Sequence, residues 1–211
     1  MARIYEIDGE KYPSVTTILG VVPNPWLDRW KANTPNADEI SARSMIQGTL
    51  FHFRVESFLA NQFSLPTPTL DIDSDKRKYI DDELKENVNI MFSQFEEFMA
   101  EYPIRPWITE AVVYNKQYKY AGTFDLAASY DNSVWILDIK TAKSIWPDYE
   151  AQLAAYSKCP IPGFQLHDGP LRIAIMRFNA KTGWQFKEMN IEKGWDAFLK
   201  ALEMYNKKEA K

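Results

Sequence analysis

The chain has 211 residues, 45% of them hydrophobic and 14% aromatic, and a formal net charge of -4. That length and apolar content support a folded core without disulfides or a structural metal, and they exclude an intrinsically disordered chain. The negative balance argues against a protein that binds nucleic acid through bulk positive charge, but it leaves room for a local basic groove.

Residues 1–20 read as short strands or an extended arm turning at Asp8-Gly9, with Ser14 placed to cap a short helix through Leu19. Residues 21–37 read as loop, with Pro23, Pro25 and Pro35 around Trp26 and Trp30. A helical pattern runs from Ala37 to Leu59, with Ile46, Leu50, Phe53 and Phe58 near helical spacing. His52 and Glu56 share one of its faces at i,i+4. Leu65–Leu70 is loop, and a longer helix spans Asp75 to Tyr102, burying Ile80, Leu84, Val88, Met91, Phe95 and Phe98 before Pro103 stops it. Strands follow at Trp107–Tyr114, Tyr118–Tyr130 and Ser133–Lys140, the last two joined by a hairpin turn at Asp131-Asn132. A helix at Asp148–Lys158, strands at Leu171–Asn179 and Trp184–Asn190, and a helix at Trp195–Lys207 complete the chain. The expected fold class is α/β (α+β), a mixed central sheet flanked by helices. It is expected to form one domain over 1–211, with an N-terminal arm and helices in 1–105 and a sheet-helix core in 106–211.

Charge and cysteine narrow the classes further. Residues 1–138 carry 13 Lys/Arg against 21 Asp/Glu, and residues 139–211 carry 12 against 8; the segment 71–101 alone holds 10 acids and 4 bases. An acidic run of that kind reads as a solvated helix face. Cys159 is the single cysteine, so no disulfide, cysteine zinc site or cysteine-bound iron–sulfur cluster can form within one chain. No apolar run resembles a signal peptide or reaches the length of a membrane span, and a soluble cytoplasmic protein with no membrane partner is expected.

The chemistry concentrates around Val134–Thr141. An apolar strand ends in Asp138-Ile139-Lys140, and alternation sends Asp138 and Lys140 to one face and Ile139 to the other. Alone, that pair also fits an ion pair at a strand end. On the preceding strand, Gly122-Thr123-Phe124-Asp125 brings a second acid, which the turn at Asp131-Asn132 sets opposite Asp138. Facing carboxylates repel unless one is protonated or a cation sits between them. A hard divalent ion, Mg²⁺ or Mn²⁺, fits, and Gly122 would let a substrate backbone approach. Lys140 beside such an ion can orient a nucleophile or stabilise developing negative charge. Glu110 on the strand before could approach the same place or be an ordinary strand-surface acid. Gln152 and Tyr156, at i,i+4 on the next helix, fit phosphate or lysine contacts, base stacking, or a half-buried helix pair. His52 fits a metal ligand or a structural histidine.

Taken in order, His52, Gly122-x-x-Asp125, Asp138-x-Lys140-Thr141 and Gln152-x-x-x-Tyr156 resemble the PD-(D/E)XK nuclease superfamily in its RecB-like branch. Pro13–Leu19, Trp30-Lys31 and Gly48…His52…Glu56 extend the similarity to the mitochondrial genome maintenance exonuclease type and its phage and bacterial relatives. The resemblance covers about residues 12–205, with 60–105 matching only as helical. It implies a restriction-endonuclease-like αβββαβ core with an N-terminal helical elaboration. It also implies a Mg²⁺- or Mn²⁺-dependent DNA exonuclease preferring single-stranded ends, active in replication, repair or recombination, and possible phage origin. On that pattern His52, Asp125, Asp138 and Ile139 would hold the metal. Asp125, Asp138, Lys140 and Glu110 would be catalytic, and Gln152, Tyr156, Thr141, Lys143 and Trp146 would contact DNA. No iron–sulfur cluster is expected, and no helicase phosphate-binding loop is present, so a helicase, polymerase or single-strand-binding partner would separate strands. The alternatives are a nucleic-acid-binding module with a vestigial site and a duplex-processing exonuclease of the lambda type. Trp26, Trp30, Trp146 and Tyr149 are candidates for stacking on unpaired bases or for core and lid packing. With 71–101 set aside the remainder is near neutral, and a DNA groove is expected away from the 75–102 helix. It would run along the hairpin and the 148–158 helix, over Lys116, Lys119, Lys140, Lys143 and Lys158.

Overall fold

A computed structural model describes residues 3–210; Met1, Ala2 and Lys211, at the ends of the expected domain and arm, lie outside the described residues. The N-terminal arm is a hairpin of β1 (Ile4–Ile7) and β2 (Glu10–Pro13), in antiparallel register Ile7↔Glu10. Its turn residues Asp8 and Gly9 have φ of 53° and 77°, the left-handed backbone that a two-residue hairpin turn needs. Ser14 then caps α1 (Val15–Leu19), its hydroxyl accepting the Thr17 N–H at 2.9 Å.

Two helices depart from the sequence reading. Residues expected as loop contain α2 (Pro25–Asn33), because Asn24 accepts the Leu27 N–H and Pro25 occupies the first turn, where its missing N–H costs nothing. The second long helix, α4 (Asp82–Glu101), starts later than expected. Asp81 is extended, takes the Leu84 N–H and pairs with Arg43, while Arg77–Tyr79 forms only a 3₁₀ turn. Between them, α3 (Ala37–Phe63) buries Phe51, Val55 and Leu59 at i,i+4 intervals. Leu50, Phe53 and Phe58, expected in the stripe, are half-buried beside it.

The sheet has five strands in the order β3-β4-β5-β6-β7: β3 (Arg105–Asn115), β4 (Tyr120–Tyr130), β5 (Ser133–Lys140), β6 (Leu171–Asn179) and β7 (Gly183–Met189). All neighbours are antiparallel except β5 and β6, so the sheet is mixed. Helix α5 (Pro147–Ser157) makes the crossover between that parallel pair, and α6 (Ile191–Glu209) closes the chain. The order helix, three strands, helix, strand is the expected αβββαβ core. One sheet face packs Phe124, Ala127, Ile136, Ile173 and Ile175 against α1, α5 and α6. The other packs Leu126, Ala128, Trp135, Leu137 and Met176 against the aromatic stripe of α3 and α4.

Helices α5 and α6 approach closely at Gly194. A methyl group there would overlap the Glu150 carbonyl and lie 2.7 Å from Ala154 Cβ. Asn190 holds the start of α6, accepting the Lys193 N–H at 2.9 Å, while its own N–H reaches Glu150 Oε1 at 3.1 Å. Asn190→Ala is expected to cost about 1 kcal/mol of stability, read as a lower urea midpoint with unchanged slope.

Candidate active site

The site forms where the sheet forks. β4 and β5 pair only as far as Leu126↔Leu137, while β5 continues beside β6 to Lys140↔Arg177. One step beyond the last β4–β5 pair, the same register sets Asp125 opposite Asp138. The edge of β5 that would lose its ladder is satisfied instead by a side chain: the Ile139 N–H donates to Asp125 Oδ2 at 2.5 Å. β3 and β4 are also irregular here. Their register passes over Glu110 and Asp125 as a pair, and Glu110 has φ of 49°. Phe124 and Ala127, three residues apart, both enter the α5/α6 core, so the strict alternation of β4 breaks around Asp125.

Asp138 is 1% exposed, and its Oδ2 has no hydrogen-bond partner. Lys140 Nζ lies 2.6 Å from that oxygen, a close charge contact outside hydrogen-bonding alignment. Burial first, and then Asp125, raises the Asp138 pKa, while Lys140 opposes the shift. Burial pulls the other way on Lys140, but the charges of Asp138 and Asp125 outweigh it, and the lysine stays protonated. Its Nζ also donates to Gln152 Oε1 at 3.3 Å and sits 4.8 Å over the Tyr149 ring.

Gln152 is held in turn by Tyr156, its Nε2 donating to the phenol oxygen at 3.1 Å. Tyr156 is 2% exposed. Its ring lies against Gly122, where a Cβ would overlap Cε1 and approach Cζ and Oη to 3.2 Å. Two expectations change at this point. Gly122 makes room for a tyrosine ring rather than for substrate, and Tyr156 is buried under β4, so its ring presents no face to a base.

On α3, His52 Nε2 faces the Ile139 carbonyl at 3.1 Å, and Nδ1 lies 3.8 Å from Asp125 Oδ2. The ligand atoms of His52, Glu56 and Glu110 fall within 4.8 Å of one another. Desolvation, then the charges of Asp125 and Glu56, push the Glu110 pKa up to about 8. Solvent reaches this residue and screens part of that effect. Burial likewise raises Glu56. Carboxylates crowded together with an imidazole are a donor set that suits a hard divalent cation. Asp138, Asp125, His52, Glu56, Glu110 and the Ile139 backbone are the groups that could hold it.

The raised carboxyl pKa values carry a sign. A group whose pKa is higher in the fold favours the folded state at low pH, and that contribution is lost as pH rises through the folded value. For Glu110 the loss falls between about 4.5 and about 8. A cation needs the deprotonated groups, so the increase in melting temperature on adding Mg²⁺ is expected to grow from pH 6 to pH 8.5. Thermal melts with Mg²⁺ and with EDTA across that range check this.

A cleft of about 670 Å³ opens beside the site between the middle of α3, Asn87 of α4, the end of β5 and the β6–β7 turn. Lys140, Lys143 and Lys181 line it together with His52, and among the described residues no carboxylate does. The expected basic face is otherwise neutralised: Lys116 pairs with Asp8, Lys119 with Glu10 and Lys158 with Glu192. The positive charge left at this end of the sheet therefore turns toward the β6–β7 turn, and α4 borders it only through the neutral Asn87. Thr141 lines the same cleft and its carbonyl accepts from Asn179 Nδ2 at 3.2 Å. Trp146 is elsewhere, facing Trp26 at a second cleft.

Glu56 and Lys181 are the residues that sequence reading left out of the site. Glu56 carried a signal, one turn from His52 on the same helix face. Lys181, in the turn Ala180-Lys181-Thr182-Gly183, carried none, because only the tertiary fold brings that turn to the end of β5. Among the described residues no helix is long and apolar enough to cross a membrane.

No family model and no curated protein sequence matches the chain. Among solved structures it is similar to a "putative exonuclease" from Eubacterium rectale, with 10% identity over 76% of this chain and a TM-score of 0.46. The alignment covers 64% of that protein's length. It is also similar to an alkaline exonuclease from Laribacter hongkongensis, with 13% identity over 75% of this chain and 96% of the other, and a TM-score of 0.36. At these identities and scores the likenesses carry no argument about what this chain does.

Proposed function

We propose that the chain is a single-domain deoxyribonuclease of the PD-(D/E)XK type. It depends on Mg²⁺ or Mn²⁺, works as an exonuclease and removes nucleotides from single-stranded DNA ends in replication, repair or recombination. The observation that carries this reading is the fixed placement of Lys140 at the sheet fork. Its ammonium is pinned between Asp138 and Gln152, beside Asp125 and the convergent His52, Glu56 and Glu110. Such a set positions a protonated lysine next to a hard-cation donor cluster, an arrangement suited to phosphodiester hydrolysis.

A bound divalent cation supplies Lewis acidity toward a phosphoryl oxygen and lowers the pKa of water. Lys140 holds its proton and offers positive charge where the phosphoryl oxygens gain negative charge. Asp125 keeps β5 in place through the Ile139 N–H, and Tyr156 keeps Gln152 directed at Lys140. Lys143 and Lys181 supply cleft charge for the flanking phosphates. Other proteins are expected to separate duplex strands.

Digestion of end-labelled single-stranded and duplex oligonucleotides tests this. Release of nucleotides from single strands with Mg²⁺ or Mn²⁺ but not with EDTA is the expected result. No release with either ion overturns the nuclease reading, and equal release with EDTA overturns the metal dependence.

A further inference from the structure

A second cleft, about 740 Å³, lies on the other side of Gln152 from the lysine-lined one. It is built from α1, the 20–24 turn, α2, the start of α5 and Ala197 of α6. Two of its walls are Trp26 and Trp146, whose rings are 5.1 Å apart and tilted by 40°. Trp26 is 53% exposed and Trp146 38% exposed. Helix α2 buries none of its residues, although it carries Trp26, Leu27 and Trp30. Trp26 and Trp146 pack on each other, yet both keep exposed aromatic surface on the cleft, which suits a flat apolar ligand.

The occupant follows from charge and continuity. Among the described residues no Lys or Arg lines this cleft, and Asp148 does, so a phosphate is disfavoured there. Asp148 can instead accept from an exocyclic amine. Gln152 lines the cleft and also holds Lys140, which lines the neighbouring one. A strand crossing Lys140 thus meets cations on one side of Gln152 and indoles on the other.

We propose that Trp26 and Trp146 form a nucleobase subsite, in which an unpaired base next to the phosphate at Lys140 stacks. This inference rests on the nuclease reading and adds how a single strand is told from a duplex, whose bases are already paired and stacked.

Binding in EDTA, where nothing is cut, tests the subsite apart from catalysis. Tryptophan emission is followed as an oligodeoxyadenylate of about eight nucleotides is added, and an abasic strand of equal length serves as control. The wild-type protein is expected to be quenched and to bind the base-bearing strand about tenfold more tightly than the abasic one. Trp26→Leu and Trp146→Leu should each remove most of that preference, and Trp26→Phe and Trp146→Phe should retain part of it, since a phenyl ring still stacks. Both positions are exposed, and circular dichroism melts verify that the variants fold. The proposal is overturned if wild type does not distinguish the two strands, if neither strand binds, or if the Leu variants keep the wild-type preference. The two readings separate cleanly. A wild type with base-dependent binding that cuts nothing with Mg²⁺ loses the nuclease reading alone. One that cuts single strands, with KM unchanged in both Leu variants, loses the subsite alone.

Discussion

Lys140→Met and Asp138→Asn are each expected to lower the rate of nucleotide release by roughly 10²–10³-fold, and to differ in what they do to cation binding. Methionine keeps much of the lysine stem and removes only the charge. It leaves Asp138 and Asp125 without their nearest cation, so the donor cluster should attract a divalent ion more strongly. The Lys140→Met protein should therefore keep, or enlarge, the rise in melting temperature caused by Mg²⁺ while losing hydrolysis. Asp138→Asn removes the buried carboxylate charge and should lose most of that thermal rise together with the rate. Single-strand binding in EDTA should change little in Asp138→Asn, because the residue is 1% exposed and does not line the lysine cleft. A Lys140→Met protein that digests single strands at the wild-type rate would remove the lysine from the chemistry. Loss of rate with the cation response intact would assign it to transition-state charge.

The contrast between the two variants depends on a geometry that the sequence partly displays. The opposition of Asp125 and Asp138 is legible because Asp131-Asn132 is a tight turn between two apolar runs. Once the turn is placed, the register of the hairpin follows. Both turn residues have positive φ, 48° and 50°, as such a turn requires. The fork is not legible. Nothing in the composition of 120–126 or 138–141 says that pairing stops at Leu126↔Leu137, or that Asp125 then serves as a substitute ladder acceptor for Ile139. The break in alternation around Asp125 and the left-handed backbone of Glu110 are hidden for the same reason, since they are set by how the two strands meet.

Charge is the other place where linear reading falls short. Lys116, Lys119 and Lys158 look like a basic face when counted along the chain. Asp8, Glu10 and Glu192, which neutralise them, are remote in sequence and arrive through the N-terminal hairpin and α6. The acidity of 71–101 is likewise no guide to the cleft, because α4 contributes the neutral Asn87 there. Helix α2 was obscured by Pro25, because a proline breaks a helix in its interior but favours it at the first turn. Apolar periodicity served best where burial is deep: Leu84, Val88, Met91, Phe95 and Phe98 are all buried as expected.

Gly122→Ala is expected to damage stability and rate together, and the reason separates packing from chemistry. The added methyl would overlap the Tyr156 ring, which is enclosed and joined to Gln152. Overpacking of this kind costs about 1–3 kcal/mol. A ring that shifts to relieve it draws Gln152 away from Lys140, so the rate should fall beyond what partial unfolding explains. Tyr156→Phe tests the link from the other side. It keeps the ring and removes the Gln152 contact, so it should lower the rate with a smaller change in melting temperature. Combining Gly122→Ala with Tyr156→Leu removes the overlap, since leucine leaves space beside the new methyl. The pair should be more stable than the sum of the single changes implies, by roughly 0.5–3 kcal/mol. It should stay slow, because neither leucine nor alanine can orient Gln152. Recovery of rate along with stability in the double variant would show that the ring acts only as filler. Recovery of stability alone would assign Tyr156 to positioning the amide that holds Lys140.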